Sequence, residues 1–444
     1  MARPDKRVNK VVARLIPPVL LGVVIYACYA ITKQLCIDYL FHPLPKYNRR
    51  SRTDAGAAIL VIFYLLLFPV LSTYFRLLYS VIGNPRFLPR GPQSAQTNES
   101  AAKRLRANRR DSHGRGTSRQ QSNEKTEEAE VDVERESEYY AGSNAFALDT
   151  AGLEKFYKKD IFVCQLDGRP LYCSTCNQYK MDRAHHCREV DRCVRKMDHF
   201  CPWVGGVVSE TSFKFFIQFV FYTMIFCLFN LIVCTYFVAE LKRDNVDVNP
   251  HLAVGIGLSG LFGLFAFGMT LSSLQLAMFN LTTIENINRR SAVWTLAIRV
   301  PNHILKKLHP QSQWAPTFPT ITYPLPPVPL RPEAAARYQS YQPAEERHVF
   351  AILQTQPGEN PFDLGSPIRN IQQVLGFSLL DWLLPLKHSP CADHNSQESA
   401  YAVGPVVSRL KQDAGLESSV DPEVEPTDRS SKHKRKRRKR RRHN

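Results

Sequence analysis

Four stretches of the chain carry no charged residue and stay apolar for the length a bilayer demands. They run from Leu15 to Thr32, Ala55 to Phe75, Phe215 to Ala239 and Leu252 to Ile284. A helix needs roughly 20 apolar residues to cross the hydrocarbon core. The first stretch is the shortest, and Lys33 can extend it by carrying its amine out to the interface. It follows a basic segment (Arg3, Lys6, Arg7, Lys10, Arg14) of the kind that precedes a signal peptide. Three further spans and the lack of a small-residue cleavage site favour an uncleaved anchor. The pattern predicts a membrane all-α protein of four transmembrane helices.

Between and after the spans the polarity reverses. From Gly91 to Tyr140 the chain is rich in Ser, Gln, Asn, Glu, Lys and Arg, too polar to bury a core, and is expected to be disordered. From Lys155 to the start of the third span lies a cysteine-rich block with turn residues Gly168, Pro170 and Asp182. After the fourth span, Pro310 to Pro332 is proline-dense and expected to be extended. Apolar residues return between Asn360 and Leu386, too interrupted to span, and suited to lie on the membrane or against the helix ends. Residues 387–431 read as disordered. The resulting division is 1–83 (first two spans), 84–154 (insertion), 155–212 (cysteine-rich domain), 213–284 (last two spans), 285–390 (tail with a membrane-proximal element) and 391–444 (disordered polybasic tail).

Charge sets the orientation. Most of the 58 lysines and arginines fall between spans two and three or after span four, so that side, with both termini, is expected to face the cytosol. Lys46, Arg49, Arg50 and Arg52 in the first loop run against this rule. Ten of the last thirteen residues are Lys or Arg. On a four-span protein such a run suits anionic lipid, at up to about 1 kcal/mol per basic residue near the surface, or a solvated tail. Nucleic acid is not an expected partner; the lipid bilayer is.

Eleven cysteines are too unevenly placed for a disulfide framework, and five (Cys173, Cys176, Cys187, Cys193, Cys201) cluster in one stretch. Facing a reducing cytosol, such a cluster reads as metal ligands or nucleophiles. Cys28, Cys227 and Cys234 lie within spans as packing residues. Cys173-Ser-Thr-Cys176 has the spacing by which two thiolates grip one tetrahedral zinc, and His186 and Cys193 complete a set of four. Cys201 follows Asp198-His199 and precedes Pro202-Trp203. Cys, His and Asp are the residue types of an acyl-transfer triad; on residue types alone, a second metal site competes with that reading.

The run Cys173 to Val204, with Arg183-Ala-His185-His186-Cys187 and Asp198-His199-Phe200-Cys201-Pro202-Trp203 at its centre, resembles the cysteine-rich domain of the DHHC-type protein S-acyltransferases. Thr282-Thr283-Ile284-Glu285 is similar to that family's Thr-Thr-x-Glu motif. Asn360-Pro-Phe-Asp-Leu-Gly365, with Asn370 and Val374-Leu-Gly376, is similar to its carboxy-proximal element, and Asn84-Pro85 is a weaker echo of its Asp-Pro-Gly. The resemblance implies four spans with a cytosolic zinc-binding domain between the second and third. It implies palmitoyl-CoA as acyl donor and cysteine-containing membrane-associated proteins as acceptors. It also implies Cys201 as nucleophile, with His199 as base held by Asp198. Lys180, Arg183, Arg188, Arg192, Arg195 and Lys196 are candidates for the CoA phosphates. Two rival readings are a catalytically silent zinc scaffold and a ubiquitin ligase of cross-brace type, which needs eight ligands.

The family's pattern also implies two zincs, and here the chain departs from it. The first site, Cys173, Cys176, His186 and Cys193, is complete. The second would use Cys187 and the positions held by Val190, Phe200 and Val207, so three of its four ligands are apolar. One zinc is therefore expected, with those three residues packed into a small apolar cluster. Some fungal members of the family resemble this chain in carrying an aromatic residue where Phe200 stands.

Overall fold

The computed structural model describes residues 6–47, 49–91, 152–305, 318–325 and 347–417. Four helices in it are long and apolar enough to cross a membrane, over Lys6–Phe41, Thr53–Gly83, Phe213–Arg243 and Pro250–Met278. We call them α1 to α4. The first three overrun their charge-free stretches at both ends. The fourth stops six residues short of Ile284, because Asn280 takes a left-handed conformation (φ 46°) and Thr282 starts a new short helix, α5 (Thr283–Ile287).

The first span changes pitch midway. Lys6–Cys28 is α-helical and Tyr29–Phe41 winds as a wider π-helix. In the wide turn residues five apart share a face, and Lys33 Nζ accordingly meets Asp38 Oδ1 at 2.5 Å rather than reaching for the interface. The basic loop that follows is neutralised by the third span. Arg52 grips the Glu240 carboxylate through both terminal nitrogens (2.6 and 2.9 Å), and Arg49 and the Tyr39 hydroxyl bond the same group. The loop's arginines thus belong to a paired knot at that end of the bundle, where they carry less weight as orientation signals.

The protein is not all-α. A four-stranded antiparallel sheet, in the order β1 (Ile161–Val163), β8 (Thr295–Arg299), β10 (His348–Gln354), β9 (Thr320–Tyr323), ties the entry to the cysteine-rich block to the segment after α4 and to the tail. Phe162 and Ile352 flank Ala297 in register. Side chains alternate between two buried clusters, one with Ile161, Val163 and Ile298, the other with Phe162, Ala297 and Phe350, as the period of a strand requires. β9 lies inside the proline-dense stretch expected to be extended. The stretch from 387 onward, expected to be disordered, is folded through residue 417. It includes the helix Pro405–Asp413 and buries Cys391, Tyr401 and Val407. The remaining disorder expectations, over 92–151 and 418–444, lie outside the described residues.

The cysteine-rich block, the sheet and the tail all sit at one end of the bundle. Lys6, at the start of α1, ion-pairs with Asp191 of the block (3.5 Å), while α2 leads into the block and α3 leaves it. Between Asn360 and Leu386 the tail forms α6 (Pro367–Leu375) and α7 (Leu379–Leu383). Its asparagines satisfy the orphan carbonyls that end a helix: Asn370 Nδ2 donates to Met278 O (2.8 Å) and Asn360 Nδ2 to Phe279 O (3.0 Å).

Candidate active site and metal centre

Three short hairpins build the block: β2 (Tyr172–Cys173) with β3 (Gln178–Tyr179), β4 (His185–Cys187) with β5 (Arg192–Val194), and β6 (His199–Cys201) with β7 (Gly206–Val208). In the second, His186 lies directly across from Cys193. This brings one donor atom each from Cys173, Cys176, His186 and Cys193 within 4.8 Å of one another. His186 Nδ1 is 3.7, 3.4 and 3.9 Å from the sulfurs of Cys173, Cys176 and Cys193. Ligands of a tetrahedral zinc, with bonds of about 2.0–2.3 Å, stand about 3.5–3.8 Å apart. The donor set fits that ion. His186 Nε2 faces Asp191 at 3.7 Å, the outer carboxylate that commonly orients a metal-bound imidazole. The chain leaving α2 is stapled to this lobe, with Leu88 N bonding Cys193 O and Gly91 N bonding Cys176 O (both 2.9 Å). A Cβ on Gly91 would strike the Asn177 carbonyl.

The third hairpin repeats the geometry with different chemistry. Phe200 lies directly across from Val207, and Cys187, Val194, Met197 and Val207 form a buried cluster against which Val190, Phe200 and Ile284 pack. Cys187 stands apart from the four-residue donor group. Its Sγ reaches Glu189 Oε2 at 3.5 Å, and burial pushes the thiol up to about 11. The apolar replacement expected from the sequence is thus present, with Ile284 of α5 as an added wall.

On the same hairpin His199 Nδ1 meets Asp198 Oδ2 at 2.6 Å. Burial disfavours a charged imidazole, but hydrogen bonds to Asp198 and to the Cys201 sulfur outweigh it and raise His199 to about 10. Asp198 is 3% exposed, yet both its oxygens have further donors, Thr283 N to Oδ1 and Thr283 Oγ1 to Oδ2, each at 2.8 Å. Phe216 of α3 sets its ring edge-on to His199 (5.3 Å). Cys201 lies in the apolar cluster that closes the bundle, with Tyr74, Leu77, Val81 and Phe213. The turn after it needs Gly205, at φ 74°. Thus His199 is joined to Asp198, and Cys201 stands two residues on along the same strand.

The Thr-Thr-x-Glu segment does two jobs. Thr282 and Glu285 form a capping box for α5, and Glu285 also takes Arg183 through two bonds (2.7 and 2.6 Å). Thr283, to which the sequence reading gave no role, holds Asp198. Its position beside a capping threonine was the available signal. Arg183 and Lys196, candidates for CoA phosphates, are removed from that list. The side chain of Arg183 is fully buried against Glu285. Lys196 is 6% exposed and donates to Asn280 Oδ1 (3.3 Å) and Cys391 Sγ (3.5 Å).

Directly beneath the hairpin all four spanning helices line an apolar cavity of about 110 Å³, with Leu20, Val24, Tyr74, Phe219, Phe226 and Phe262 on its walls. Tyr74 donates to the Trp203 carbonyl (3.2 Å), and the Trp203 ring meets those of Phe265 (5.3 Å) and Phe262 (6.4 Å). The cavity is thereby linked to the turn that follows Cys201.

A family model for DHHC palmitoyltransferase matches residues 167–290. The chain is 63% identical to palmitoyltransferase pfa5 of Aspergillus fumigatus, over 94% of this chain and 93% of that protein. It is 58% identical to palmitoyltransferase pfa5 of Emericella nidulans, over 94% and 88%. To palmitoyltransferase PFA3 of Saccharomyces cerevisiae it is 27% identical, over 53% and 58%. With the hairpin geometry and four spanning helices already in hand, these likenesses place the chain in the DHHC palmitoyltransferase family.

Proposed function

We propose that this protein S-palmitoyltransferase works through an S-acyl intermediate on Cys201, with His199 as acid and base and Asp198 as the group that orients it. The observation that carries the reading is the His199 imidazole, bonded to Asp198, with Asp198 and the Cys201 sulfur raising it to about 10 against the effect of burial. At neutral pH it keeps a proton and so stands as the cation beside which the Cys201 sulfur can act as a thiolate. The thiolate attacks the carbonyl carbon of palmitoyl-CoA and the carbon–sulfur bond to CoA breaks. The departing CoA sulfur takes the imidazolium proton. A protein cysteine then gives its proton to His199 and attacks the acyl carbon, and Cys201 leaves as thiolate. One thioester replaces another in each step, so no nucleotide triphosphate is consumed.

The architecture supports this division of labour. The sixteen-carbon chain belongs in the apolar cavity below the hairpin, where about 0.8 kcal/mol per buried CH₂ amounts to roughly 10 kcal/mol. The CoA phosphates belong at the basic rim of the block, where Lys180, Arg188, Arg192 and Arg195 keep exposed surface. The block, both chain ends and the tail face the cytosol in this reading, as the basic segments favour. Cys173, Cys176, His186 and Cys193 hold one zinc, which stiffens the hairpins and takes no part in the transfer.

Incubating the purified protein with labelled palmitoyl-CoA tests this directly. Hydroxylamine-sensitive label mapping to Cys201, absent in Cys201→Ser, is the expected result. Full labelling of the Cys201→Ser protein would overturn it and leave a scaffold as the better reading.

A further inference from the structure

Away from the active site, at the corner where the end of α2 meets the first turn of α3, the structure holds cations without an answering anion. Lys214 is completely buried, and its Nζ has no hydrogen-bond partner. The charges that act on it are Asp381 of α7 and Lys387. Asp381 is already committed: Oδ1 pairs with Lys387 (3.3 Å) and Oδ2 accepts from Ser378 N (3.3 Å). Beside them Arg76 Nη2 bonds His388 Nε2 (3.1 Å). Its guanidinium lies over Phe215 (5.1 Å), with no carboxylate partner among the described residues. Arg76, Arg86 and Lys214 all act on His388. Next to it the Ser389 hydroxyl, 4% exposed, is also unpartnered.

Other buried cations of this protein are treated differently. Arg183 pairs with Glu285, and Lys196, though without a carboxylate partner, donates to Asn280 Oδ1 and Cys391 Sγ, whereas Lys214 Nζ has no partner of either kind. A buried ammonium without a counter-charge is costly, and native structures normally supply a partner. Here the chain does not, which points to a bound anion. The rim identifies its class. Phe75 (55% exposed), Tyr79 (66%), Leu383 (51%) and Leu386 (72%) surround the corner with apolar surface at the end of two spanning helices. The segment 381–384 is tied along α3 by Gln218 and Tyr222, which donate to its carbonyls. Cations ringed by exposed apolar side chains at a helix end belong at the boundary between hydrocarbon and headgroup. A soluble phosphate would leave that rim uncovered; a lipid would cover it with its chains.

We infer that Arg76, Lys214 and His388 bind the phosphate of an anionic phospholipid. The test uses the full chain purified in neutral detergent and titrated with phosphatidic acid, phosphatidylserine, phosphatidylcholine or inorganic phosphate. Bound lipid is counted by native mass spectrometry and melting is followed in parallel. We expect saturable binding of the anionic lipids with a rise in Tm, and neither from phosphatidylcholine or inorganic phosphate. Lys214→Met and Arg76→Gln should each weaken the anionic binding at least tenfold. The basic run at 432–442 adds a background common to wild type and variants, so the difference between them is the readout. In lipid-free detergent Lys214→Met should melt at or above the wild-type temperature, since an unanswered charge has been removed. Equal lipid binding by wild type and both variants would overturn the inference. So would competition by millimolar inorganic phosphate, or a Lys214→Met protein less stable than wild type without lipid.

Discussion

Two hairpins of the cysteine-rich block share one geometry and close by opposite means. In β4–β5 the cross-strand pair is His186 and Cys193, and polar donors converge on a point. In β6–β7 the equivalent pair is Phe200 and Val207, and apolar side chains converge instead. A structural zinc contributes about 10–16 kcal/mol in small peptides. Burying two valines and a phenylalanine contributes about 1.5–3 kcal/mol each. The apolar lobe therefore needs outside help, and Ile284 of α5 is in contact with it. That contact has a chemical consequence: the next residue back, Thr283, holds Asp198. The metal lobe is tied to the ends of α1 and α2, whereas the lobe without metal is coupled through α5 to Asp198.

The largest effect expected follows from removing the metal lobe's ligands. Cys193→Ser, or stripping with a strong chelator, should abolish acyl-enzyme formation and expose the block to protease, with zinc falling from one per chain to none by elemental analysis. Retention of full activity without zinc would break the contrast at once. Next comes the apolar lobe. Phe200→Ala, at a half-buried position, should cost about 0.5–3 kcal/mol, read as a lower Tm, while zinc stays at one per chain. The triple change Val190→Cys, Phe200→His, Val207→Cys should raise zinc to two per chain and recover the stability lost in Phe200→Ala. If zinc stays at one, Cys187 and its neighbours do not have the metal lobe's geometry.

How much of this was legible beforehand depends on the distance over which each contact acts. The spans and the four-residue donor cluster were readable because each is a local pattern, such as Cys173-x-x-Cys176 or an uncharged run. The apolar lobe was readable because Phe200 and Val207 stand where ligands were expected. The sheet was not, because β1 pairs with β8 more than 130 residues away. Its strands are three to seven residues long, too short to show a period of two against a polar background. Arg183 looked like a surface charge until Glu285, 102 residues on, was placed against it. The fold beyond 387 was missed for the same reason. Ser399, Tyr401 and Val407 are buried only because the sheet and the block provide a surface for them.

A smaller effect should separate positioning from stability. Thr283→Val keeps the backbone bond to Asp198 and removes the hydroxyl bond, worth about 1.5–3 kcal/mol for a charged acceptor. The rate of acyl-enzyme formation should fall about tenfold or more, by more than the accompanying fall in Tm accounts for. Thr283→Ser should restore it, which a merely structural role would not require. A variant that loses stability and rate in proportion would assign Thr283 to the fold alone.

The gentlest probe is pH, and it should pull the two lobes apart in opposite directions. Metal ligands must be deprotonated to bind, so acid competes with zinc and the metal lobe weakens as pH falls. The other hairpin carries His199, raised to about 10 by Asp198 and Cys201 against the opposing effect of burial. A raised pKa means that the protonated form is preferred in the folded state. Its contribution is complete below the ordinary histidine value of about 6.5 and disappears as pH climbs through about 10. The Tm difference between wild type and His199→Gln should therefore be greatest below about pH 6.5 and shrink steadily towards pH 10, while zinc content stays constant from neutrality upward. Below pH 6 zinc should leave first, with the His199 contribution still intact. A Tm difference that grew on the alkaline side would mean that the imidazole is neutral in the folded protein, and the ion-pair mechanism would then give way to one in which His199 takes the thiol proton only as the acyl group arrives.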